Sequence, residues 1–402
     1  MTASRRFRAA RRTSEIEYAI RDVLAPAESL EASGVRLIKL NIGDPNEFDF
    51  DVPQSVKEAL KMAVDEGYNN YAPSEGDEEL REATAERERH RGVNVEASDI
   101  IVTHGVSEAI QMLFGAVLEV GDEVLIPGPS YPPYVALAKF FNAKPVPYRM
   151  VEEEGWRPDI EDLKSKVTER TKMIVVTSPN NPTGTIYPRK TLKEIVDLAG
   201  ERGILLASNE IYAGITYEEG FCSPANLAKD IPMIILNGFS KFYLMTGWRL
   251  GYAAFVNPSG ELDEIKEAFL KQARIRVSAN TPCQRAALAA IRGPQEHINE
   301  VRRKLKERRD YFYKRINEIK GLSAQKPQGA FYIFPKIEDE RWRDDRRFML
   351  EVLMKAHVVL VHGSGFCPIY GRGHFRAVFL PPLEVLEEAL DALEAFMKGK
   401  LG

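Results

Sequence analysis

The sequence predicts an α/β fold: a large domain with a mainly parallel sheet between helices, joined to a smaller α+β domain. From about residue 54, short β-branched runs alternate with helical segments, a pattern typical of parallel sheets. After about residue 260, helical segments dominate and the strands are short. The 402 residues also exceed what one simple domain needs. We therefore predict a large domain at residues 54–291 and a small domain that combines residues 1–53, with an N-terminal arm, and residues 292–402.

The individual elements follow from apolar spacing and from turn residues. Helical spacing marks residues 55–64, 78–90, 107–118, 191–202, 262–272, 284–291, 299–319 and 385–398. Short apolar runs mark strands at 100–102, 123–126, 173–176, 204–207, 233–236, 330–334 and 358–361. The helix at 299–319 is expected to join the two domains, and the N-terminal arm is expected to pack with the small domain.

Composition narrows the class of protein. There are 55 Lys and Arg residues against 59 Asp and Glu residues, so the basic excess of a nucleic-acid binder is missing. No apolar run approaches the length of a membrane span. The three cysteines have neither disulfide-framework nor metal-type spacing. We expect a cytoplasmic enzyme without a metal site, without a nucleic-acid partner and without a membrane partner.

Lys241 is the strongest chemical signal in the sequence. It follows the strand at 233–236 closely, lies next to Ser240, and precedes Arg249 by eight positions. Ligand-binding groups of open α/β sheets collect at the carboxyl ends of the strands. Partial burial beside Arg249 would lower the pKa of the lysine amine, as a Schiff-base amine requires. A lysine considered alone is far more often a solvated loop residue. Whether Lys241 is a functional residue therefore depends on the other motifs.

Four further motifs follow strands or begin helices. The segment Ser178-Pro179-Asn180-Asn181-Pro182-Thr183-Gly184 predicts an irregular turn that directs a side-chain amide into a site. Gly105-Val106-Ser107 stands where a strand meets a helix, and free N–H groups there can hold a phosphate. Asn209-Glu210-Ile211-Tyr212 follows another strand, and Arg376 could bind a carboxylate with both of its amino groups.

The ordered set of motifs resembles the class I aminotransferases, which depend on pyridoxal phosphate (PLP) and have the type I fold of PLP-dependent transferases. The segments that carry the resemblance are GFSKFYLMTGWRLGY, SPNNPTG, NEIY and HFRAVFLPP, and it extends over nearly the whole chain. NIGDP, PGPSYPPY, PQGAFYIFPK and VHGSGF are further similar to the alanine aminotransferase branch, archaeal members included.

The resemblance implies a role for each matching residue. Lys241 would be the Schiff-base lysine and proton shuttle. Asn181 and Tyr212 would bind the ring hydroxyl of the cofactor, Asn209 would face its ring nitrogen, and Tyr131 would stack on its ring. Its phosphate would be held by Val106, Ser107, Ser240 and Arg249, with Tyr71 reaching across from the other subunit of a homodimer. The amino acid and 2-oxo acid substrates would be bound by Arg376, Gly43 and Asn181, with Tyr18 in the side-chain pocket.

Two positions depart from the family pattern. The family carries Asp where this chain has Asn209, and that carboxylate keeps the ring nitrogen protonated so that the ring can accept electrons. The neutral amide should weaken transamination by roughly 2–4 kcal/mol, or about a hundredfold in rate. Glu210 is a poor substitute because adjacent strand residues point to opposite faces. Gly238 stands where many relatives carry a phosphate-binding Ser.

The expected activity is transfer of the amino group of alanine to 2-oxoglutarate by a ping-pong mechanism. The sequence identifies no second cation for the distal carboxylate of 2-oxoglutarate, so aromatic amino acids or kynurenine stay open as substrates. Another PLP-dependent reaction, such as β-elimination at a C–S bond, uses the same lysine and arginine. A regulatory homologue that binds the cofactor without turnover is the non-enzymatic alternative. Asn209 is the one residue that favours it.

Overall fold

The computed structural model describes residues 7–14, 16, 23–218 and 220–400. Its α-helices span Leu24–Ala32, Gln54–Asp65, Glu78–His90, Gly105–Val117, Pro133–Phe140, Ile160–Ser165, Arg189–Arg202, Asp263–Arg276, Thr281–Arg292, His297–Glu318, Asp345–Ala356 and Leu383–Met397. The helices expected from apolar spacing are all present, with bounds that shift by a few residues at most. No helix in these described ranges is long and apolar enough to cross a membrane.

The main sheet contains eight strands of the described chain. They are β2 (Ile100–Thr103), β3 (Glu123–Gly128), β4 (Lys144–Val151), β5 (Arg157–Pro158), β6 (Thr171–Thr177), β7 (Leu205–Asn209), β8 (Met233–Gly238) and β9 (Gly251–Val256). Their order is β2-β9-β8-β7-β6-β3-β4-β5. The pairs from β8 to β4 are parallel, whereas β9 is antiparallel to both of its neighbours and β5 is antiparallel to β4. The α/β fold with a mainly parallel sheet is thereby confirmed.

The sequence pattern predicts none of β4, β5 and β9 in the main sheet. Strand β9 is apolar and buried along its whole length, but it follows the lysine and arginine motif directly. The segment that joins β8 to β9 contains no α-helix, and β9 runs antiparallel to β8. Strand β4 contains two prolines, which argue against a strand in a sequence pattern.

Shorter strands form the remaining sheets. They are β1 (Ile38–Lys39), β10 (Leu322–Ser323), β11 (Tyr332–Ile333), β12 (Lys336–Ile337), β13 (Val358–Val359), β14 (Val361–His362) and β15 (Phe375–Val378). The run at 358–361, expected as one strand, divides at Leu360. Its first half pairs with β1 and its second half pairs with β15. A single apolar run cannot reveal that its two halves serve different partners.

Buried side chains form three clusters. Residues that alternate along the central strands point to opposite faces of the sheet: Ile174 and Val176 belong to one cluster, Met173 and Val175 to another. The third cluster joins side chains from residues 23–50 to side chains from residues 298–397. The division of the chain at residues 53/54 and 291/292 stays a prediction. The N-terminal arm was expected to pack with the small domain. In its described part, however, Arg12 lies 5.3 Å from the ring centre of Phe140 in the large region.

Candidate active site

A cavity of about 350 Å³ opens at the carboxyl ends of β6, β7 and β8. In the parallel ladder Thr177 lies opposite Asn209, and Asn209 lies opposite Leu236, so the three strands end side by side. The residues that line the cavity are Ile42, Gly43, Asp44, Val106, Ser107, Tyr131, Thr177, Asn181, Asn209, Ile211, Tyr212, Ser240, Lys241, Thr246, Arg249, Tyr332 and Arg376. The topology thus brings together most residues that the motifs singled out.

Lys241 lies inside this cavity, on the turn that follows β8. Its Nζ donates a hydrogen bond to the carbonyl oxygen of Gly43 at 2.7 Å. Burial lowers the pKa of Lys241 to about 8; Asp44 opposes this change, while Arg249 and Arg376 add to it. An amine with that pKa is partly neutral near neutral pH, so it can act as a nucleophile and as a proton carrier.

An anion cradle lies at one end of the cavity. The helix Gly105–Val117 begins there, and the N–H groups of its first turn, which include Val106 and Ser107, have no partner within the helix. Arg249 Nη1 lies 3.5 Å from Ser240 Oγ and donates to the carbonyl oxygen of Thr246 at 2.7 Å. A Cβ atom on Gly105 would lie 2.5 Å from Arg249 Nη2, so only glycine lets the guanidinium approach the helix terminus.

Arg376 lies at the opposite end of the cavity, on β15. Its side chain is 1% exposed, and its guanidinium lies 4.6 Å from the ring centre of Tyr332 and 5.0 Å from that of Phe366. Nη1 donates to Asn181 Oδ1 at 3.1 Å, and Nη2 donates to the carbonyl oxygen of Asn41. Such a rigid, planar cation suits a carboxylate that binds with both oxygens.

Asn181 comes from the irregular turn after β6. The Ser178–Pro179 and Asn181–Pro182 peptide bonds are cis, as is Gly128–Pro129. Asn180 holds the turn by accepting hydrogen bonds from the backbone and hydroxyl of Thr183. The Asn181 side chain is thereby directed into the cavity, as the motif predicted, and accepts a hydrogen bond from Arg376 there.

Asn209 and Glu210 face opposite sides of the sheet, which confirms the prediction from strand alternation. Asn209 lines the cavity and its Nδ2 donates to the hydroxyl of Tyr134 at 2.7 Å. Glu210 is fully buried on the other side, where it accepts a hydrogen bond from Ser223 at 2.6 Å and pairs with Arg91 at 2.5 Å. No carboxylate of Glu210 is therefore available to the cavity.

Tyr131 and Tyr212 line the cavity, and each packs against a second tyrosine. Tyr131 meets Tyr134 edge to face, with 6.0 Å between ring centres. The hydroxyl of Tyr212 lies 2.8 Å from that of Tyr332, and burial raises the pKa of Tyr212, which keeps it a neutral hydroxyl. A Cβ atom on Gly43 would lie 2.1 Å from the Tyr332 hydroxyl, so glycine is needed at that close approach.

Two predicted residues stand apart from this constellation. Tyr71 is 79% exposed and does not line the cavity. Tyr18 lies outside the described residues. At Gly238, the position noted as a departure, there is no room for a side chain, because a Cβ atom there would lie 2.8 Å from Gly251 Cα across the antiparallel β8–β9 pair.

The sequence interpretation also missed residues that the fold brings into the cavity. Tyr332 contacts Tyr212, Gly43 and Arg376, and Asp44 accepts a hydrogen bond from Thr246 at 2.8 Å. Both lie in segments that carried the family resemblance, PQGAFYIFPK and NIGDP. That position inside a matching segment is the one signal that could have indicated them.

The cavity fits a phosphate-bearing aromatic aldehyde. Its cradle offers a helix N-terminus, a hydroxyl and a guanidinium for the phosphate, with Gly105 keeping the space open. Lys241 offers an amine with lowered pKa for the aldehyde, and Tyr131 offers a ring face. Arg376 offers a buried guanidinium for a substrate carboxylate near the same lysine.

Comparisons with known proteins agree with this geometry. Residues 35–393 match the family model of class I and II aminotransferases. A structure of alanine aminotransferase from Pyrococcus furiosus superposes with a TM-score of 0.96 at 56% identity, over 98% of this chain and 100% of that chain. Glutamate-pyruvate aminotransferase of Escherichia coli is 35% identical over 96% of this chain and 98% of its own length. A probable aspartate/prephenate aminotransferase of Aquifex aeolicus is 39% identical over 86% of this chain and 87% of its own length.

Proposed function

The chain belongs to the class I and II aminotransferases, and from that premise we propose that it transfers the amino group of L-alanine to 2-oxoglutarate. It is a transaminase that depends on PLP and acts on amino acids and 2-oxo acids. The observation that carries the proposal is the position of Lys241, a buried amine with a pKa of about 8 between the anion cradle and Arg376. One end holds a phosphate, the other holds a carboxylate, and the amine lies at the reacting centre.

PLP supplies an electron sink for the pair released when the substrate Cα–H bond breaks, and it carries the amino group between the two half-reactions. In our proposal Val106, Ser107, Ser240 and Arg249 hold the cofactor phosphate. Tyr131 packs on the cofactor ring. Asn181 and Tyr212 bind its hydroxyl, and Asn209 faces its nitrogen. Together with Lys241, these residues would hold and orient the cofactor in the cavity.

Lys241 moves the proton in this proposal. Its neutral amine would take the proton from the substrate Cα, and the resulting ammonium would hold that proton for return later in the reaction. Arg376 binds the α-carboxylate with help from the backbone of Gly43 and from Asn181, which orients the Cα–H bond toward the amine. Tyr332, packed on Arg376, keeps the guanidinium in place.

Two relatives support alanine as the donor, since their names state alanine or the glutamate–pyruvate pair. The Pyrococcus protein is 56% identical to this chain. The Gly43–Tyr332 contact narrows the space beside Arg376, which favours a small side chain on the amino donor. We place the reaction in the cytoplasm.

We further propose a homodimer with shared active sites. The apolar side chains of Tyr71 and Ile275 are exposed, and both lie in segments that are joined by hydrogen bonds. Thr281 Oγ donates to the carbonyl oxygen of Asn70, and Arg276 donates to that of Ser74, which ties these segments together. Apolar surface of this kind is typical of subunit interfaces. Tyr71 on it would reach the phosphate cradle of the neighbouring subunit.

The activity is tested by spectroscopy of the PLP-loaded protein. L-alanine alone should shift the visible cofactor band, and 2-oxoglutarate should restore it, with one pyruvate and one glutamate formed per cycle. Release of pyruvate and ammonia from a thioether substrate without any oxo acid would instead favour β-elimination. A band that no amino acid shifts would contradict the proposal.

The shared site is tested by mixing two inactive variants. Lys241→Ala and Tyr71→Phe dimers, dissociated and reassembled together, should regain activity because one site of each hybrid then has both residues intact. Each variant, dissociated and reassembled alone, serves as a control. A monomer in light scattering, or no gain on mixing, would contradict a dimer with shared sites.

A further inference from the structure

A second and larger cavity lies behind the turn that carries Lys241. Its volume is about 1010 Å³, near the upper end for small-molecule sites. Helix Glu78–His90, the segment after β7 and helix His297–Glu318 all contribute to its wall. The two cavities share Ile211, and Phe242, the residue after Lys241, lines the larger one. The proposed aminotransferase function leaves this cavity unused.

Arg87 lines this cavity and packs against two aromatic rings. Its guanidinium lies 5.0 Å from the ring centre of Phe242 and 5.3 Å from that of Tyr243, so its planar faces are in aromatic contact. Its Nη1 is buried and has no hydrogen-bond partner in the described part of the chain. A guanidinium stacked on rings keeps the N–H groups of its edge free for an oxyanion.

Arg302 is the second cation of this wall. Its Nε donates to the carbonyl oxygen of Gly214 at 2.8 Å, and burial lowers its pKa without any carboxylate to oppose the change. Gly214 packs so closely on Phe242 that a Cβ atom would lie 1.9 Å from the ring. Arg87 and Arg302 therefore flank the same Phe242–Gly214 contact, one from the large region and one from the helix His297–Glu318.

The other charges of the wall are paired or exposed. Arg91 is bound by the buried carboxylates of Glu88 and Glu210. Glu218 is held by Arg309, which lowers the pKa of that carboxyl. His90, Glu86 and Arg292 are exposed, and Arg292 lies 3.4 Å from Glu79. Two half-buried guanidinium groups without a carboxylate partner among the described residues thus dominate the wall.

We propose that this cavity binds a small polyanion, with one oxyanion group on Arg87 and another on Arg302. Phosphate and carboxylate share the planar array of acceptor oxygens that a guanidinium edge recognises. Binding would connect the helix Glu78–His90 to the helix His297–Glu318 through the ligand. The site is distinct from the phosphate cradle and from Arg376, which line the smaller cavity.

Isothermal titration of the PLP-loaded enzyme tests the site, with inorganic pyrophosphate and citrate as separate probes. Cofactor loading keeps the phosphate cradle filled, so the probes report on other sites. We expect Arg87→Met and Arg302→Met each to weaken binding of the effective probe about tenfold or more, because each loses a charged hydrogen-bond donor. Arg303→Met, one residue away on the same helix and 63% exposed, should bind like the unaltered enzyme.

The two probes separate the sources of the anion. Arginine-dependent binding of pyrophosphate alone assigns a phosphorylated ligand, and arginine-dependent binding of citrate alone assigns a polycarboxylate. No binding of either probe, binding unchanged in both Met variants, or a loss in only one of them would overturn the proposal.

A second measurement needs no variant. Phenylglyoxal modification of the unaltered holoenzyme, read by peptide mass spectrometry, should be slowed at both Arg87 and Arg302 by the effective probe. Arg303 serves as the unprotected control. Equal modification of all three with and without the probe would overturn the proposal even if a variant failed to fold.

Discussion

The two faces of the sheet at the end of β7 differ in how their charges are paired. On the cavity face, Asn209 forms a neutral hydrogen bond to Tyr134, and the nearby charges are the cations of Lys241, Arg249 and Arg376 and the half-buried carboxylate of Asp44. On the opposite face, Glu210 and Glu88 enclose Arg91, with side chains that are 0% exposed. The anion expected beside the cofactor ring is thus one residue away, where backbone alternation keeps it out of reach.

The difference shows that the same strand end serves two purposes. The cavity face holds groups that must exchange partners during a reaction, so it keeps cations without buried anions beside them. The back face holds a closed ion network, in which Tyr252 also donates to Glu88. A substitution on the cavity face should therefore abolish transamination and leave the unfolding free energy nearly unchanged. A substitution in the ion network of the back face should lower the unfolding free energy.

Lys241→Ala gives the largest expected effect. Loss of the amine removes both cofactor attachment and the proton carrier, so kcat/KM should fall by more than about 10⁴-fold. The unfolding temperature should change little. Steady-state transamination and a thermal melt measure both quantities, with Lys172→Ala on the exposed side of β6 as the control. Residual activity above a hundredth of that of the unaltered enzyme would contradict the assignment of the chemistry to the cavity face.

Arg91→Met tests the back face. It leaves two buried carboxylates without their shared cation, which typically costs about 3–5 kcal/mol of unfolding free energy. Urea unfolding measures the loss, and Arg343→Met, from an exposed ion pair, should leave the urea midpoint unchanged. A stable Arg91→Met protein would mean that the carboxylates of the back face bind protons instead.

Asn209→Asp moves the missing carboxylate to the cavity face. The half-reaction with L-alanine should speed up by about a hundredfold, which corresponds to roughly 2–4 kcal/mol of transition-state stabilisation. Stopped-flow spectroscopy of the PLP-loaded variant measures that rate, and Asn299→Asp on the surface is the matched control. An unchanged rate would show that the Asn209–Tyr134 pair already suffices.

The pH dependence of Lys241 gives the smallest and most specific test. With a pKa of about 8, the neutral and reactive fraction of the amine should rise as pH passes through 8, and the protonated form should dominate below it. Trace labelling of the cofactor-free protein with acetic anhydride, read at the Lys241 peptide, should therefore titrate near pH 8. A Lys241 midpoint at about 10.4, the ordinary pKa of a lysine, would contradict the effect of burial.

The sequence predicted what depends on local pattern. Alternation placed Asn209 and Glu210 on opposite faces, and the turn at 178–184 directs Asn181 into the cavity, because both effects are decided within a few residues. The alternation of strands and helices also predicted the α/β sheet, and the ordered motifs predicted the aminotransferase family; the topology of the sheet and the family model confirm both.

Features that depend on distant partners were not predictable in the same way. Tyr332 reaches the cavity because β11 pairs with β15, which no local pattern around it encodes. Gly238 must be glycine because Gly251 lies against it across the β8–β9 pair, a contact that no local pattern encodes. The cavity beside Arg87 and Arg302 depends on two helices more than 200 positions apart in the chain.

The pairing of β1 with β13 has a consequence for how the enzyme is made. Ile38 pairs with Val358, so these two strands can pair only after most of the chain has left the ribosome. The residues proposed to bind the cofactor phosphate, from Val106 to Arg249, leave the ribosome well before Arg376. A nascent chain should therefore be able to capture its coenzyme before it can recognise an amino acid, with the ligand acting as an early scaffold for a late-completed enzyme.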